Sequence, residues 1–420
     1  MNIFCQLINE EGVPLGPQIN VPRSVGIEEL TAIVTSLDEE ADEDRVQKYS
    51  FYVDNEQIES TLDELVTQMD KSTETTVEIV YQKESLFRVR PATRCSSTIP
   101  AHNGPVLTCS ISPDTRYFAT AGADRKVHVW MSGMQLPFSS LEGHTANILA
   151  LAWSPDGQYL ASGDRDGKVV VWRMSDKSSR TLQGHTKFIT SMTFLNTETL
   201  ASASKDTTVR IWNTRTGRRT FTLTTHTKTV RCLAQMGDYL LTGSEDRSII
   251  MWNWMTGQVV QTFTGHAHWV NRIDVRDEHH FVSCSDDFVV ILWNIDSRRP
   301  VKKLTGHQRP VTDIKFSPNG RFLASCSFDK AIKIWNPQGT FIKNLRGHVK
   351  EVYLLAWAKD SHLLASCSGD STVKIWDVTT GKLVSDLSGH RDEIYAMDWA
   401  HDGTFLVSGG KDGLVKIWRY

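Results

Sequence analysis

The sequence predicts a mainly β protein, an eight-bladed β-propeller preceded by a small α+β domain. Two observations, a recurring residue pattern and the length of the repeat, support the propeller. A small residue followed by His recurs eight times at intervals of 40 to 42 residues, and each copy is followed by Ser/Thr-x-x-x-Asp and then by a Trp six residues after that Asp. A period of about 40–45 residues is typical of WD-type propeller blades. The third observation, a pattern of short strands around one helix in the first 85 residues, predicts the small domain.

The four recurring residues of each repeat, which we call a tetrad, have complementary hydrogen-bonding groups. A Trp N–H only donates, a carboxylate only accepts, and His and hydroxyl groups do both. The sequence therefore predicts a buried chain Trp–Ser/Thr–His–Asp in every repeat. Because catalysis needs one site, eight copies indicate architecture. In the second and eighth repeats the predicted tetrads are His144, Ser162, Asp166 and Trp172, and His390, Ser408, Asp412 and Trp418.

The ends of the repeat region predict how the ring closes. The sequence stops two residues after the last tetrad Trp, which leaves the eighth blade one strand short. Residues 94–100 precede the first tetrad His at the same phase as the outer strands of later repeats. We expect them to complete the last blade and so remove an open sheet edge. The predicted organisation is a first domain at 1–85, a junction at 86–94 and the propeller at 95–420.

The first domain is predicted to be a ubiquitin-like (β-grasp) domain. Its helix should bury a face at helical spacing formed by Ile27, Leu30, Ile33, Val34 and Leu37. Residues 60–82 resemble the corresponding end of ubiquitin, and no Gly-Gly terminus follows, so the domain is a built-in module. The predicted elements are strands at Asn2–Ile8, Pro17–Val21, Tyr49–Val53 and Thr76–Gln82, a helix that begins after Ser24, a turn at Asn55-Glu56 and a short helical segment at Thr61–Met69.

Composition narrows the class of protein. The formal net charge is −3, which excludes the global basic field of a bulk nucleic-acid binder and leaves RNA contact to a local patch. No run of about eighteen apolar residues and no secretory signal occur, so we predict a soluble intracellular protein. The seven Cys form no CxxC pair; Cys284, Cys326 and Cys367 recur at one phase and are predicted to be small buried apolar side chains.

The candidate binding residues lie in the loops next to the tetrad His and Asp, which share one face of a propeller. No phosphate-binding loop, nucleophile elbow or metal-binding motif competes with this face for function. Exposed Trp, Phe and Arg are the residue types that dominate binding energy at interfaces, although any one of them is also an ordinary rim residue. The candidates, suited as a group to protein or RNA, are Arg165, Lys187, Phe188, Lys205, Lys228, Trp269, Arg309 and Phe328.

A ubiquitin-like head joined to eight WD repeats resembles the Notchless family of large-subunit ribosome assembly factors. The marks of the resemblance are FRVRPATRCSS (87–97), HAHWVN (266–271), SFDKAIKIW (327–335), GHVKEVYLLAW (347–357) and GHRDEIYAMDW (389–399). The resemblance implies a nuclear and nucleolar protein whose ring docks on the pre-ribosomal particle, touching ribosomal RNA and proteins, as a monomer within that particle. This sequence departs from related proteins in two ways: its fifth repeat is compact, and its first strand starts at Asn2.

The same resemblance implies a partner for the head. In the family, the MIDAS domain of the AAA ATPase Midasin grasps the head and pulls, and a loop Glu completes the coordination of the MIDAS metal. Carried over here, that residue is Glu74. The chain would need no metal or cofactor of its own, because the Mg²⁺ is held by the partner. The alternative is a WD-repeat substrate receptor or adaptor of a ubiquitin ligase, which would be indifferent to Glu74.

Overall fold

A computed structural model describes residues 2–8, 14–22, 25–37, 49–53, 56–57, 77–83, 95–132 and 137–419. It divides into two compact units, residues 1–89 and 90–420. The predicted short helix at 61–69, the junction at 86–94 and Glu74 all lie outside the described residues.

Within its described residues, the first unit is a five-stranded sheet with one helix, Ile27–Leu37. Its first strand lies inside the sheet, because it pairs antiparallel with the second strand and parallel with the last one. The order across the sheet places the strands as second, first, fifth, third and fourth. The strands are Asn2–Ile8, Ile19–Pro22, Tyr49–Val53, Glu56–Gln57 and Val77–Lys83.

The helix covers the sheet with the face that its apolar spacing predicts. Leu30 and Val34 are fully buried against Phe51 and Ile79 of the sheet, and Ile33 packs at the edge of the same cluster. The expected turn at Asn55-Glu56 is wrong in one respect. Glu56 pairs with Val53 and belongs to a short strand, Glu56–Gln57, rather than to the turn.

The second unit consists of eight four-stranded antiparallel sheets, which confirms the predicted fold class. In every blade the strands follow each other as neighbours, and the first strand ends up beside the first strands of the adjacent blades. The first four blades are Val106–Ile111, Tyr117–Gly122, Lys126–Met131, Pro137–Glu142; Ile148–Trp153, Tyr159–Asp164, Val169–Arg173, Ser179–Leu182; Ile189–Phe194, Thr199–Ser204, Val209–Asn213, Arg218–Leu223; and Val230–Met236, Tyr239–Ser244, Ser248–Asn253, Gln258–Thr264.

The remaining four blades have the same order, with one exchange at the end. The eighth takes its outer strand from Cys95–Pro100, which pairs with Leu414–Arg419 over Leu414↔Pro100 to Trp418↔Cys95. The strands are Val270–Val275, His280–Ser285, Val290–Asn294, Lys302–Leu304; Val311–Phe316, Leu323–Ser327, Ile332–Trp335, Phe341–Leu345; Val352–Trp357, Leu363–Ser368, Thr372–Asp377, Leu383–Ser388; and Ile394–Trp399, Phe405–Gly410, Leu414–Arg419, Cys95–Pro100.

The core of the ring lies between blades, where second and third strands alternate small and large apolar side chains. Each cluster joins residues of two successive sheets; in one of them Trp212 packs with Ala161 and Ile189. Cys284, Cys326 and Cys367 are free and fully buried in this layer, as predicted. Burial raises the pKa of all three thiols, because the thiolate would be poorly solvated there.

Candidate interaction face of the propeller

Every blade contains one complete hydrogen-bonded tetrad. The Trp Nε1 lies 2.7–3.0 Å from the hydroxyl oxygen. The hydroxyl lies 2.7–2.9 Å from His Nε2. His Nδ1 lies 2.8–3.1 Å from the carboxylate. The His–carboxylate pairs are His102–Asp124, His144–Asp164, His185–Asp206, His226–Asp246, His266–Asp287, His307–Asp329, His348–Asp370 and His390–Asp412.

The direction of each chain follows from its ends. Trp can only donate, so the hydroxyl accepts from it and donates to His Nε2, and His Nδ1–H donates to the carboxylate. Burial lowers the pKa of His102 and His390, which keeps these rings neutral and fits this direction. Although burial acts to raise it, hydrogen bonds from His307 and from backbone N–H groups lower the pKa of Asp329 to about 2.

The tetrad carboxylate also fixes the two loops that meet at this end of the blade. Asp206 Oδ2 accepts from the backbone N–H of Thr186, at 3.1 Å, and its Oδ1 accepts from the N–H of Thr208, at 3.0 Å. The loop after the His and the turn after the Asp are therefore held together in this way in the third to eighth blades. We call the end of the ring formed by these loops the His–Asp face.

The predicted tetrad of the second blade is wrong in its carboxylate. His144 donates to Asp164, at 2.8 Å, and not to Asp166, which is exposed. Asp164 stands where five other blades have Ser, such as Ser204, whose hydroxyl accepts from the backbone N–H of the tetrad Asp. A longer carboxylate at that position reaches the His and also accepts from the N–H groups of Asp166 and Lys168. The sequence GDRDG offered both aspartates, and the repeat phase selected the wrong one.

Three of the eight candidate binding residues meet at the mouth of the central channel. Phe188, Trp269 and Phe328 line one cavity of about 580 Å³ together with Tyr353. Trp269 is 37% exposed although it lies in a cavity wall, which leaves much of the indole available. Phe328 and Tyr353 pack edge to face with 6.1 Å between ring centres. The aromatic half of the predicted patch is therefore a single surface.

The basic candidates are distributed differently. Lys205 Nζ lies 5.0 Å from the centre of the Phe188 ring, a cation–π distance, and so joins the mouth. Arg165, Lys187, Lys228 and Arg309 have exposed side chains and are not among the residues that line the cavity. These four form an outer set on the same face.

Sequence reasoning missed the polar side chains of the mouth. Arg231 lies over the Trp269 ring at 5.5 Å and pairs with Glu245 at 3.4 Å. Asn271 donates to Asp286, at 2.6 Å, and its buried Oδ1 has no partner among the described residues. A signal existed, because the residue five positions after each tetrad His lines the channel. That series is Leu107, Leu149, Thr190, Arg231, Asn271, Thr312, Tyr353 and Tyr395.

Deeper in the channel, three aspartates fasten neighbouring blades. Asp274, Asp313 and Asp398 line a cavity of about 390 Å³. Each accepts a hydrogen bond from a backbone N–H of the next blade, at 2.7 Å from Phe316, 2.9 Å from Leu355 and 2.9 Å from Ile111. Burial raises the pKa of Asp274 to about 6 and also raises that of Asp398. The pKa shifts of Asp274 and Asp398 are therefore opposite in direction to that of Asp329.

One group of possible metal ligands occurs among the described residues, His102, Asp124 and His128, with ligand atoms within 4.8 Å of one another. His102 uses both ring nitrogens in the tetrad, at 2.9 Å to Asp124 and 2.9 Å to Thr120. His128 Nδ1 is bound to Ser140 at 2.7 Å. A metal would displace the tetrad bonds, so this group is explained by architecture.

The family follows from the repeats. The WD domain, G-beta repeat model matches eight segments: 93–131, 136–173, 176–213, 217–253, 257–294, 298–336, 339–377 and 381–419. The chain belongs to the WD-repeat family. The NLE (NUC135) domain model matches residues 3–66 of the first unit. An NLE domain followed by eight WD repeats confirms the predicted resemblance to the Notchless family.

Several curated proteins are similar in sequence to this WD-repeat chain. It is 36% identical to "Protein Notchless" of Drosophila melanogaster over 282 residues, which cover 64% of this chain and 57% of that protein. It is 35% identical to the "Notchless protein homolog" of Arabidopsis thaliana over 128 residues, 30% of this chain and 26% of that protein. It is 33% identical to "Ribosome assembly protein 4" of Saccharomyces cerevisiae over 144 residues, 32% of this chain and 28% of that protein. The matches span less than two thirds of each relative's length.

Among solved structures, the WD-repeat ring is similar to the computationally designed Ika8 protein. The TM-score is 0.70 at 26% identity, over 77% of this chain and 98% of the designed one. Within the described residues, no helix has the length and apolar character that a membrane span requires.

Proposed function

We propose that the protein is a non-catalytic assembly factor in large ribosomal subunit biogenesis. The resemblance to the Notchless family, with relatives that are named as ribosome assembly proteins, supports this proposal. In this account the ring is a rigid platform that docks on the pre-ribosomal particle through its His–Asp face. The protein works in the nucleus and nucleolus, as one copy within that particle.

The channel mouth supports docking through this face. Phe188, Trp269 and Phe328 present aromatic surface, and Lys205 and Arg231 lie over two of these rings. Aromatic and Arg side chains at a concave centre are the arrangement from which binding hot spots are built. The tetrads hold the loops that carry these side chains, so little conformational entropy is lost on binding.

Sedimentation tests the assignment. A tagged full-length chain expressed in cells should co-sediment with precursors of the large subunit, and its depletion should make precursor ribosomal RNA accumulate. Trp269→Ala should weaken co-sedimentation, because truncating a central aromatic typically costs about 2 kcal/mol or more of binding free energy. Val260→Ala, which changes an exposed apolar side chain on the outer strand Gln258–Thr264, outside the His–Asp loops, is the control. A chain found only in free fractions would contradict the proposal.

The proposal includes a force-bearing link at the head. A MIDAS domain of Midasin would bind the ubiquitin-like domain, with Glu74 as an oxygen ligand to the Mg²⁺ that the partner holds. This chain would then carry no cofactor of its own. Support comes from the family and from the chemistry of a hard cation, which takes carboxylate oxygen at one open position.

Titrating the full-length chain with a Midasin MIDAS domain tests this link. Binding should require Mg²⁺, be abolished by chelator or by Glu74→Ala, and be weakened by Glu74→Asp, whose carboxylate is one methylene shorter. Asp70→Ala, an acidic change in the same stretch, should bind normally. Binding that depends on neither Mg²⁺ nor Glu74 would contradict the metal bridge. Binding to ubiquitin ligase or proteasome subunits instead would favour the substrate-receptor alternative.

A further inference from the structure

One segment of the chain is strongly basic. Residues 298–350 contain twelve Lys and Arg against two Asp and no Glu, within a protein whose net charge is −3. The segment covers the outer strand of the fifth blade, the whole sixth blade and the loop that enters the seventh. This is the local basic patch that the overall composition left open.

Three of these cations surround one cavity. Lys330, Lys333 and Arg346 line a notch of about 360 Å³ at the His–Asp end of the sixth blade. Lys330 follows the tetrad Asp, Lys333 lies two residues before the tetrad Trp, and Arg346 lies two residues before the next tetrad His. We call this group the sixth-blade notch. Each repeat has the corresponding three positions, but only the sixth blade has a cation at all of them.

The acidic side chain in the notch does not neutralise it. Asp329 is occupied by its tetrad, with Oδ2 accepting from His307 at 2.8 Å and from the N–H of Gln308 at 3.0 Å. Its Oδ1 accepts from the N–H of Ala331 at 3.0 Å. Among the described residues, Lys330, Lys333 and Arg346 take part in no ion pair within 4.0 Å. The notch therefore holds three cationic side chains without counter-charges of their own.

Two neighbours orient these cations. With the Asn344 amide oriented to satisfy both its groups, its oxygen accepts from Arg346 Nε at 2.9 Å while its nitrogen donates to the Ile332 carbonyl at 3.2 Å. Lys333 Nζ lies 5.2 Å from the centre of the Phe341 ring. Both cations are thus held beside the cavity, with their remaining donors free for an anion.

In the other blades at most one of these three positions holds a Lys or Arg, such as Arg210 in the third, Arg247 in the fourth and Lys416 in the eighth. In the first blade Arg346 is replaced by Glu142, which pairs with Lys126 at 2.6 Å. In the seventh blade Lys374 occupies the Lys333 position and is paired with Asp386. The sixth blade combines cations at all three positions, and no other blade does so. A structural role common to the repeats does not account for that combination.

We propose that the sixth-blade notch binds the phosphate backbone of RNA. Arg309 and Lys350 continue the charge in the loops after two tetrad His residues, and Lys303 reaches the same end, donating to the Gly265 carbonyl at 3.1 Å. Cations that extend beyond one cavity fit a polymer of phosphates better than a single phosphate. The inference rests on the proposed function in naming RNA, because the pre-ribosomal particle is built on RNA.

The test measures RNA binding by the purified full-length chain. A fluorescent uridine oligonucleotide and large-subunit ribosomal RNA are titrated between about 50 and 200 mM salt, where phosphate contacts are most visible. The triple variant Lys330→Gln, Lys333→Gln, Arg346→Gln removes the notch charges. The control, Arg116→Gln, Arg173→Gln, Arg215→Gln, removes three exposed cations that form only long surface pairs of 3.6–3.9 Å.

The notch variant should lose about tenfold or more in affinity, and its log–log salt slope should shrink by about two, because each phosphate contact contributes about 0.7. The control variant should keep the wild-type affinity and slope. Equal affinity of wild type and notch variant, or equal losses in both variants, would overturn the proposal. The proposal would also be overturned if the notch bound inorganic phosphate but the substitutions left the affinity for RNA unchanged.

This experiment separates the inference from the proposed function. RNA binding that depends on the notch, in a chain that never sediments with large-subunit precursors, would keep the inference and reject the function. A notch variant that binds RNA normally but leaves the precursor particle would point to an acidic protein partner and reject the inference alone.

Discussion

The tetrads and the sixth-blade notch lie a few residues apart on the same strands, yet they differ in what the repeat explains. The tetrads occur eight times, are buried and satisfy their own hydrogen bonds. The notch occupies a position that every blade has, but its three unpaired cations occur once. Repetition therefore identifies what holds the ring, and departures from repetition identify where the ring can meet a partner.

Asp164 qualifies this lesson. It departs from the repeat and is nonetheless architectural, because it replaces the tetrad Asp as the acceptor for His144. The residue that keeps the repeat phase, Asp166, is exposed and released from that role. A departure becomes a functional candidate only when its side chain is left without a structural partner.

The largest expected effect separates these two aspartates. Asp164→Ala should lower the free energy of unfolding by about 3 kcal/mol, because it leaves His144 and two backbone N–H groups buried without an acceptor. Asp166→Ala should cost less than about 0.5 kcal/mol, as exposed substitutions usually do. Urea unfolding followed by Trp fluorescence measures both. Equal costs would contradict the assignment of Asp164 to the tetrad.

A smaller effect is expected in the pH dependence of the unfolding free energy, which should differ between a channel carboxyl and a tetrad carboxyl. Burial raises the pKa of Asp274 from 3.8 to about 6, so the folded state binds its proton more tightly and loses stability as pH rises from about 4 to 6. Asp274→Asn removes this penalty. The stability of the variant relative to wild type should therefore rise by about 2 kcal/mol between pH 4 and pH 7. A constant difference across this range would show that Asp274 does not titrate in this way.

Asp329 should show the opposite dependence. Its pKa is lowered to about 2, so its ionised form contributes stability that is complete above pH 4 and is lost as pH falls toward 2. The deficit of Asp329→Asn relative to wild type should shrink by about 2 kcal/mol over that range. Acid titration of urea midpoints checks it, and a deficit that stays the same at low pH would refute the sign.

The smallest expected effect on stability belongs to the notch. Lys330→Gln, Lys333→Gln and Arg346→Gln together should leave the unfolding midpoint almost unchanged, because none of the three has an ion pair to lose among the described residues. Thermal unfolding followed by circular dichroism checks this. A marked loss of stability would place these cations in the architecture with the tetrads.

Much of the fold follows from the sequence, because a fixed period with complementary polar groups allows few arrangements. The repeat phase located the tetrad His, hydroxyl and Trp in every blade. It failed at Asp166, where two aspartates lay within reach of one His, since only three-dimensional distance chooses between them. The short strand at Glu56–Gln57 was mistaken for a turn, because two paired residues leave no period to detect.

The candidate face was predicted in part. The loops adjacent to His and Asp contained Phe188, Trp269 and Phe328, which meet at one cavity. Arg231 and Asn271 were missed, because this position on the first strand carries Leu, Thr, Tyr, Arg or Asn in different blades and becomes meaningful only once those strands line a channel. The basic notch was also missed, since each of its members alone is an ordinary surface charge and only the folded blade brings Arg346 beside Lys330 and Lys333.

The most direct test of the account is sedimentation of the notch variant with large-subunit precursors, alongside the Arg116, Arg173, Arg215 control. The account predicts that the notch variant unfolds at the wild-type midpoint but is depleted from the precursor fractions, while the control remains with them. A notch variant that is fully folded and fully associated with the precursor would contradict the claim that the unrepeated residues of the ring carry its function.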